Sequence, residues 1–122
     1  MIRDVLGGRV VLVLEDSYFI AEDLCAAIEQ AGGRVLGPAS HVEEALALLL
    51  KRDYPDAAIL DIDLNGSQSF SVADALAKRN VPILFVTGLD LPALPHAHRK
   101  VPVCRKPMRA AEVVRALTRL LA

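Results

Sequence analysis

Four short apolar segments of this chain each end at a polar signal. They are VVLVL before Glu15-Asp16, AAIL before Asp61, PILFV before Thr87 and VPVC before Lys106-Pro107. Segments of this length, rich in Val, Ile and Leu, are typical of strands that are buried on both faces of a parallel sheet. Because open α/β sheets bind ligands at the carboxyl ends of their strands, the four polar signals are predicted to meet at one edge of a sheet.

Amphipathic stretches between the apolar segments predict the helices. Ser17 is the expected N-cap of a first helix, which ends at Gly32-Gly33. Ser40 and Glu43 have the spacing of a capping box for a second helix. Two more helices are expected, over about 71–79 and from about 109 onward.

The alternation of strands and helices predicts a parallel sheet with right-handed crossovers. A short run from Arg34 to Gly37 adds a fifth strand. We therefore expect the flavodoxin-like α/β fold, a five-stranded parallel sheet in the order 2-1-3-4-5 with helices on both faces. In that order the first and third strands are neighbours, so Glu15 and Asp16 should lie beside Asp61. At 122 residues, the chain is expected to be one domain.

The connection between the fourth and fifth predicted strands breaks the pattern. Pro92 and Pro95 lie where a fourth helix should begin, and each proline lacks an amide donor and disfavours helix at the residue before it. The fourth helix is therefore expected to be short or irregular. Two histidines of this stretch, His96 and His98, are expected to be exposed. With Cys104 they still lack a fourth ligand, so no zinc site is predicted.

Composition argues against several classes of function. Because 14 basic and 15 acidic residues give a net charge of −1, no global field favours nucleic acid or a membrane surface. No apolar run has the length of a membrane span. Cys25 and Cys104 show no metal-binding or disulfide pattern and are expected to be reduced, which predicts a cytoplasmic setting. Phe19 is expected to be a packing residue.

Three carboxylates are predicted to gather at the ligand-binding edge, those of Glu15, Asp16 and Asp61. At close range they repel one another, which favours protonation unless a cation joins them. Oxygen ligands favour a hard ion, and Mg²⁺ suits a site that also takes a phosphate group. The metal would draw a phosphoryl oxygen toward Asp61, whose carboxylate can attack phosphorus to give an acyl phosphate.

The polar signals of the last two strands suit the same chemistry. Lys106 can offset negative charge on the phosphoryl oxygens, and the Thr87 hydroxyl can donate a hydrogen bond to one of them. Gly88 has no side chain and leaves the approach to Asp61 open. This edge of the sheet is therefore predicted to be a site for Mg²⁺ and a phosphoryl group.

Four signals thus stand in register along the chain, namely Glu15-Asp16, Leu60-Asp61, Thr87 and Lys106-Pro107. In order and strand placement they resemble the receiver (CheY-like) domain of two-component response regulators, and the resemblance covers essentially the whole chain. It implies that Asp61 is the phosphoacceptor and that Asp16 is the main metal ligand. It also implies that Glu15 acts on the metal partly through water.

The same resemblance implies roles for residues beside the acceptor. The backbone carbonyl of Asp63 is expected to bind the metal. The side chains of Asp63 and Leu89, with Gly88 between strand and loop, are expected to flank the phosphate and set how fast water removes it. The Lys106–Pro107 peptide bond is expected to be cis, as is typical of the family.

Two features depart from most receivers, the residue at position 103 and the interval from Thr87 to Lys106, which is short at 19 residues. Val103 occupies the position, three residues before the lysine, where most of them carry a Tyr or Phe that moves with the Thr. The run from Phe85 to Gly88 partly resembles the start of the FAT GUY motif of bacterial single-domain regulators, which also lack that aromatic residue. Because Val103 is combined with two prolines upstream, our hypothesis is that output uses ordering of the segment from Leu89 to His98.

The resemblance implies a stand-alone receiver without an output domain, provided that the 122 residues are the whole protein. Asp61 would accept a phosphoryl group from a histidine kinase or a histidine phosphotransfer protein and lose it by self-catalysed hydrolysis. The protein would not be a conventional enzyme. It would act through a partner protein, or as a phosphate shuttle or sink, and neither nucleic acid nor membrane insertion is expected.

Two other functions stay open at this point. A haloacid-dehalogenase-like phosphatase also uses an Asp nucleophile in an Asp-x-Asp motif, which Asp61-Ile62-Asp63 matches, although its nucleophile normally follows the first strand. A pseudo-receiver would bind partners without chemistry, although this chain retains every phosphorylation residue. Turnover of small phosphomonoesters would favour the phosphatase, whereas failure to bind Mg²⁺ would favour the pseudo-receiver.

Overall fold

A computed structural model describes residues 4–51, 53–88 and 94–122, in which strands alternate with helices. In chain order the elements are β1 (Val10–Leu14), α1 (Tyr18–Gln30), β2 (Arg34–Ala39), α2 (Val42–Lys51), β3 (Ala57–Asp61), β4 (Asp63–Leu64), β5 (Ser67–Gln68), α3 (Phe70–Ala77), β6 (Ile83–Thr87), β7 (Val103–Arg105) and α4 (Ala110–Leu121). Among the described residues, no helix combines the length and the apolar character needed to cross a lipid bilayer.

Five of the strands form one parallel sheet in the order β2-β1-β3-β6-β7. The short strands β4 and β5 pair with each other as a separate antiparallel hairpin. With that hairpin set aside, the order is the predicted 2-1-3-4-5, so the flavodoxin-like fold is confirmed. In the register of the central strands, Leu14 pairs with Leu60 and Asp61 pairs with Val86. The strand ends that carry the polar signals therefore lie side by side.

The core has two layers because alternate residues of each buried strand point to opposite faces of the sheet. On one face, Leu12 and Leu14 belong to a cluster that α2 and α3 cover. On the other face, Val11 and Val13 belong to a cluster that α1 and α4 cover. Each fully buried aliphatic side chain of this kind contributes about 1.5–3 kcal/mol to stability, so the central strands are fixed tightly from both sides.

The helix starts agree only partly with the sequence. The Ser17 hydroxyl accepts a hydrogen bond from the Ile20 amide at 3.4 Å, as expected of an N-cap. The capping box predicted for Ser40 and Glu43 is wrong, because Glu44 is the residue that accepts from the Ser40 amide, at 2.9 Å. The reason is that α2 begins only at Val42, which moves the reciprocal glutamate one position along the chain.

The orientation of α1 overturns the expectation for Phe19. Its side chain is 77% exposed and makes an edge-to-face contact with the ring of Tyr18, which is also exposed. The buried stripe of α1 consists of Ala21, Leu24 and Ile28. Phe19 lies about 140° from Leu24 around a helix with 3.6 residues per turn, so it faces away from the core.

The helix predicted between β6 and β7, which is not the element α4, is short and irregular in the described part of this connection, as predicted. Residues 94–102 contain a single 3-10 turn, His96–His98. Residues 89–93, which include Leu89, Pro92 and part of the segment expected to become ordered, lie outside the described residues.

Two leucines of matched chemistry test the burial pattern. Leu24 is 1% exposed on α1, whereas Leu50 is 88% exposed on α2. We expect Leu24→Ala to lower the free energy of unfolding by about 2–5 kcal/mol, because it removes buried contacts and leaves a cavity. Leu50→Ala should change it by no more than about 0.5 kcal/mol. Urea unfolding of both variants measures the difference, and equal losses would contradict the assignment of these two faces.

Candidate functional site

Three carboxylates meet at the carboxyl ends of β1 and β3. Glu15 and Asp16 directly follow β1, Asp61 is the last residue of β3, and these two strands are neighbours in the sheet. One ligand oxygen from each residue lies within 4.8 Å of the others. Glu15 and Asp61 are buried, and Asp16 is partly exposed. The cluster is therefore enclosed on the side of the core and open at the edge of the sheet.

Lys106 joins two of these carboxylates from the end of β7. Its Nζ donates to Glu15 Oε1 and to Asp61 Oδ2, in both cases at 2.9 Å. The Lys106 amide also donates to the carbonyl of Thr87, the last residue of β6, at 2.8 Å. The peptide bond from Lys106 to Pro107 is cis. The ends of four strands thus converge on one group of polar side chains.

Burial determines the electrostatics of Glu15. Loss of hydration and the nearby Asp61 carboxylate raise the pKa of Glu15 to about 7, against the opposing effects of Lys106 and the Ser17 amide. The Ser17 amide donates to Glu15 Oε1 at 3.1 Å, a contact that nothing in the sequence pattern indicated. Burial lowers the pKa of Lys106, but its hydrogen bonds to Glu15 and Asp61 outweigh this effect and leave that pKa raised.

The second carboxylate oxygen of Glu15 indicates that the cluster suits a cation. Oε2 is buried and has no hydrogen-bond partner among the described residues. An unpaired buried carboxylate oxygen is costly unless a positive charge or a donor approaches it. All three ligand residues offer oxygen, which is the donor that hard divalent ions such as Mg²⁺ prefer. The residues present therefore fit Mg²⁺.

Known proteins resemble this chain in fold and in amino-acid sequence. The PhyR response regulator REC domain of Erythrobacter litoralis matches with a TM-score of 0.82 at 25% identity, over 95% of this chain and 92% of that one. SdrG of Sphingomonas melonis Fr1 matches with a TM-score of 0.79 at 35% identity, over 94% of this chain and 98% of SdrG. The chain belongs to the receiver domains of response regulators.

Among curated proteins, the sensory transduction protein LytT of Bacillus anthracis is 36% identical over 87 residues, which are 69% of this receiver domain and 35% of LytT. The chain spans about a third of the length of the curated relatives it matches. No protein-family model matches it.

The remaining residues singled out in the sequence lie around the carboxylates of the receiver domain. Thr87 is buried at the end of β6, and Asp63 is exposed at the start of the β4–β5 hairpin. The Asp63 amide donates to Asp61 Oδ1 at 3.3 Å. A Cβ placed on Gly88 would lie 3.7 Å from Lys106 Cδ, which is an ordinary van der Waals distance, so Gly88 lies directly beside the lysine side chain. Leu89 is outside the described residues.

The raised pKa of Glu15 gives the receiver domain a predictable pH dependence. The pKa of Glu15 is about 7 in the folded protein, whereas the ordinary value for a glutamate, which applies to the unfolded chain, is 4.5. The folded state therefore holds this proton more tightly than the unfolded chain. The free energy of unfolding should therefore fall as the pH rises from about 4.5 to about 7, by up to about 3 kcal/mol. Urea unfolding at several pH values, without divalent ions, measures this slope.

Two glutamine variants isolate the source of that slope. Glu15→Gln cannot ionise and should flatten the pH dependence between about 4.5 and 7. Glu22→Gln removes a carboxylate from the exposed face of α1 and should leave the dependence unchanged. An unaltered slope in Glu15→Gln would mean that another group is responsible.

Proposed function

We propose that this receiver domain accepts a phosphoryl group on Asp61 in a Mg²⁺-dependent reaction and then loses it by hydrolysis. The observation that carries the proposal is the position of Asp61, whose carboxylate adjoins both a carboxylate cluster suited to a metal and the ammonium of Lys106. A nucleophile, a metal site and a cation that can receive developing negative charge are what phosphoryl transfer requires.

The metal would be held by Glu15, Asp16 and Asp61, with the backbone carbonyl of Asp63 as a further ligand. When bound, Mg²⁺ neutralises charge on the phosphoryl oxygens and favours their approach to an anionic nucleophile. Because the metal would supply positive charge to the two buried carboxylates, Lys106 could turn from them toward the phosphoryl group. The positive charge of the metal would thus replace that of Lys106 beside the carboxylates, so their negative charge would not be left uncompensated.

The covalent step takes place at the Asp61 carboxylate. One of its oxygens forms a bond to phosphorus while the bond from phosphorus to the donor breaks, and the donor leaves with that electron pair. Lys106 and the Thr87 hydroxyl hold phosphoryl oxygens, and Gly88 leaves them room. In the hydrolysis that follows, water attacks phosphorus, the bond from phosphorus to Asp61 breaks with its electron pair left on the carboxylate, and inorganic phosphate leaves together with the proton that the water releases. Asp63 and Leu89 would govern how readily that water enters.

The phosphodonor in the cell would be a histidine kinase or a histidine phosphotransfer protein, in which a phosphorylated imidazole is the leaving group. The relatives with names in signalling, a sensory transduction protein and a response regulator domain, support this assignment. We propose that the receiver domain acts through a partner protein or as a phosphate shuttle or sink.

The setting proposed for this activity is the cytoplasm. Both cysteines, Cys25 and Cys104, are free thiols. The pKa of each thiol is raised, and the largest cause is the loss of hydration on burial. Thiols of this kind are less reactive than thiolates and are typical packing residues of a reducing compartment. The nearly balanced charge supports protein partners over nucleic acid or membrane.

Labelling with acetyl phosphate tests the acceptor. After incubation with Mg²⁺ and acetyl phosphate, intact-mass analysis should show one added phosphoryl group on the parent protein and none on Asp61→Asn. Asp63→Asn, which alters a neighbouring exposed carboxylate, should still be labelled, and a chelator should abolish labelling of both. Labelling of Asp61→Asn would overturn the assignment, and many turnovers of a small phosphomonoester would favour a phosphatase instead.

Lys106→Ala tests the proposed cation. Because the ammonium would stabilise charge that develops on the phosphoryl group, we expect the rate of labelling by acetyl phosphate to fall by about 10²-fold. Lys78→Ala, which removes an exposed lysine at the end of α3, should label at the parent rate. Circular dichroism should first establish that both variants are folded. A rate within about threefold of the parent for folded Lys106→Ala would contradict the role given to Lys106.

A further inference from the structure

His98 is the single buried residue of the described segment 94–100, which joins β6 to β7 in place of a regular fourth helix. Its side chain is 2% exposed, so the expectation that this histidine is exposed is wrong, whereas His96 is exposed as predicted. The backbone hydrogen bonds described for residues 95–101 all close within that stretch. Side chains therefore attach the segment to the rest of the domain, namely Leu94, which packs against the core, and the imidazole ring of His98.

That ring has two aromatic contacts and one polar contact. It stacks on Phe70, with 6.2 Å between ring centroids and 17° between planes. It also meets Phe85 edge-on, at 6.1 Å and 88°. His98 Nε2 lies 2.7 Å from Asp74 Oδ1 on α3. Because an ionised carboxylate can only accept, Nε2 is the donor in this bond. We call these four residues, His98, Asp74, Phe70 and Phe85, the His98 cluster.

The His98 cluster is connected to the proposed phosphorylation site through β6. Phe85 and Thr87 are two residues apart on this strand, so their side chains point to the same face of the sheet. In the register with β7, Phe85 pairs with Val103. Val103 contributes no ring at this level, and the imidazole of His98 is the ring that reaches Phe85 from the chain beyond β6.

We propose that His98 is the element through which phosphorylation of Asp61 controls the segment 94–100. This inference rests on the proposed function and names its regulation. In this structure the contacts of the His98 cluster are formed while Lys106 donates a hydrogen bond to Asp61. A phosphoryl group on Asp61 would compete for that lysine and would accept a hydrogen bond from the hydroxyl of Thr87. A displacement of Thr87 at the end of β6 would also displace Phe85, which lies two residues earlier on the same strand. Phosphorylation then favours release of His98, which is the opposite of the ordering expected from the sequence, and an intact His98 cluster opposes phosphorylation.

The contacts have the strength that such a switch requires. The Asp74 side chain is 61% exposed, so water competes for its bond to His98, and the net effect of the bond is about fivefold in an equilibrium constant. Allosteric couplings between sites are about 5-fold to 150-fold. An anchor of this strength holds the segment but can be overcome by phosphate contacts.

Beryllofluoride with Mg²⁺, a stable mimic of the aspartyl phosphate, provides the test. Since coupling is reciprocal, Asp74→Ala should raise the affinity for beryllofluoride by about threefold to tenfold. His98→Phe keeps a ring that holds the segment through packing alone and is more costly to release, so it should lower the affinity. His96→Ala, in the same turn but exposed, should bind like the parent. In the parent, beryllofluoride should speed hydrogen exchange of the His98 and Val101 amides, measured by NMR.

The outcomes separate this inference from the function on which it rests. If the parent binds no beryllofluoride, the proposed function fails and the role of His98 fails with it. If the parent binds it but Asp74→Ala binds within twofold of the parent and exchange at His98 is unchanged, only the role of His98 is overturned. A lower affinity in Asp74→Ala would also overturn it, because the cluster would then support the phosphorylated state. Asp74 is largely exposed, so this variant is expected to fold even if His98→Phe does not.

Discussion

The ammonium of Lys106 between two buried carboxylates is the interaction on which this edge of the sheet depends. It bonds to Glu15 and Asp61, which are 91 and 45 positions away in the chain, and so joins the ends of β1, β3 and β7. Without that ammonium the two carboxylates would be buried without compensation, at a cost of about 3–5 kcal/mol. One positive charge still cannot balance three carboxylates, and this excess of negative charge is why the cluster suits a divalent ion.

The fold could be predicted because its strands and its site depend on the same signals. Each apolar run forms a strand that is buried on both faces of the sheet, because its side chains are apolar throughout. Each run ends at a polar residue, and the parallel topology brings these residues to one edge of the sheet. Contacts within the site depend on the local backbone geometry, which the spacing of residues in the sequence does not determine. The Ser17 amide contact with Glu15 follows from how the chain turns into α1, and the capping glutamate depends on a shift of one residue at the start of α2.

The loop after the acceptor shows a similar limit. The sequence patterns predict no strand directly after Asp61, but the structure adds a short hairpin whose two turn residues, Asn65 and Gly66, have positive φ, 51° and 90°. A two-residue turn of this type matches the right-handed twist of paired strands and is favoured by an Asn-Gly sequence. The hairpin turns the chain back immediately after Asp61, so Asp63 stays at the surface while Asp61 is buried. The two aspartates of one Asp-x-Asp motif thus have different environments.

His98 and Phe19 were predicted wrongly for opposite reasons. Phe19 is apolar but lies off the buried stripe of α1, whereas His98 is polar but lies where Phe70 and Phe85 leave space for a ring. A phenyl ring at position 98 would fill the same space and hold the segment through packing alone. An imidazole also needs a partner for its N–H, and Asp74 accepts it from a position that water reaches. Because water can replace that bond, leaving the cluster costs a histidine less than leaving a purely apolar pocket would cost a phenylalanine. A histidine therefore makes the attachment of this segment reversible.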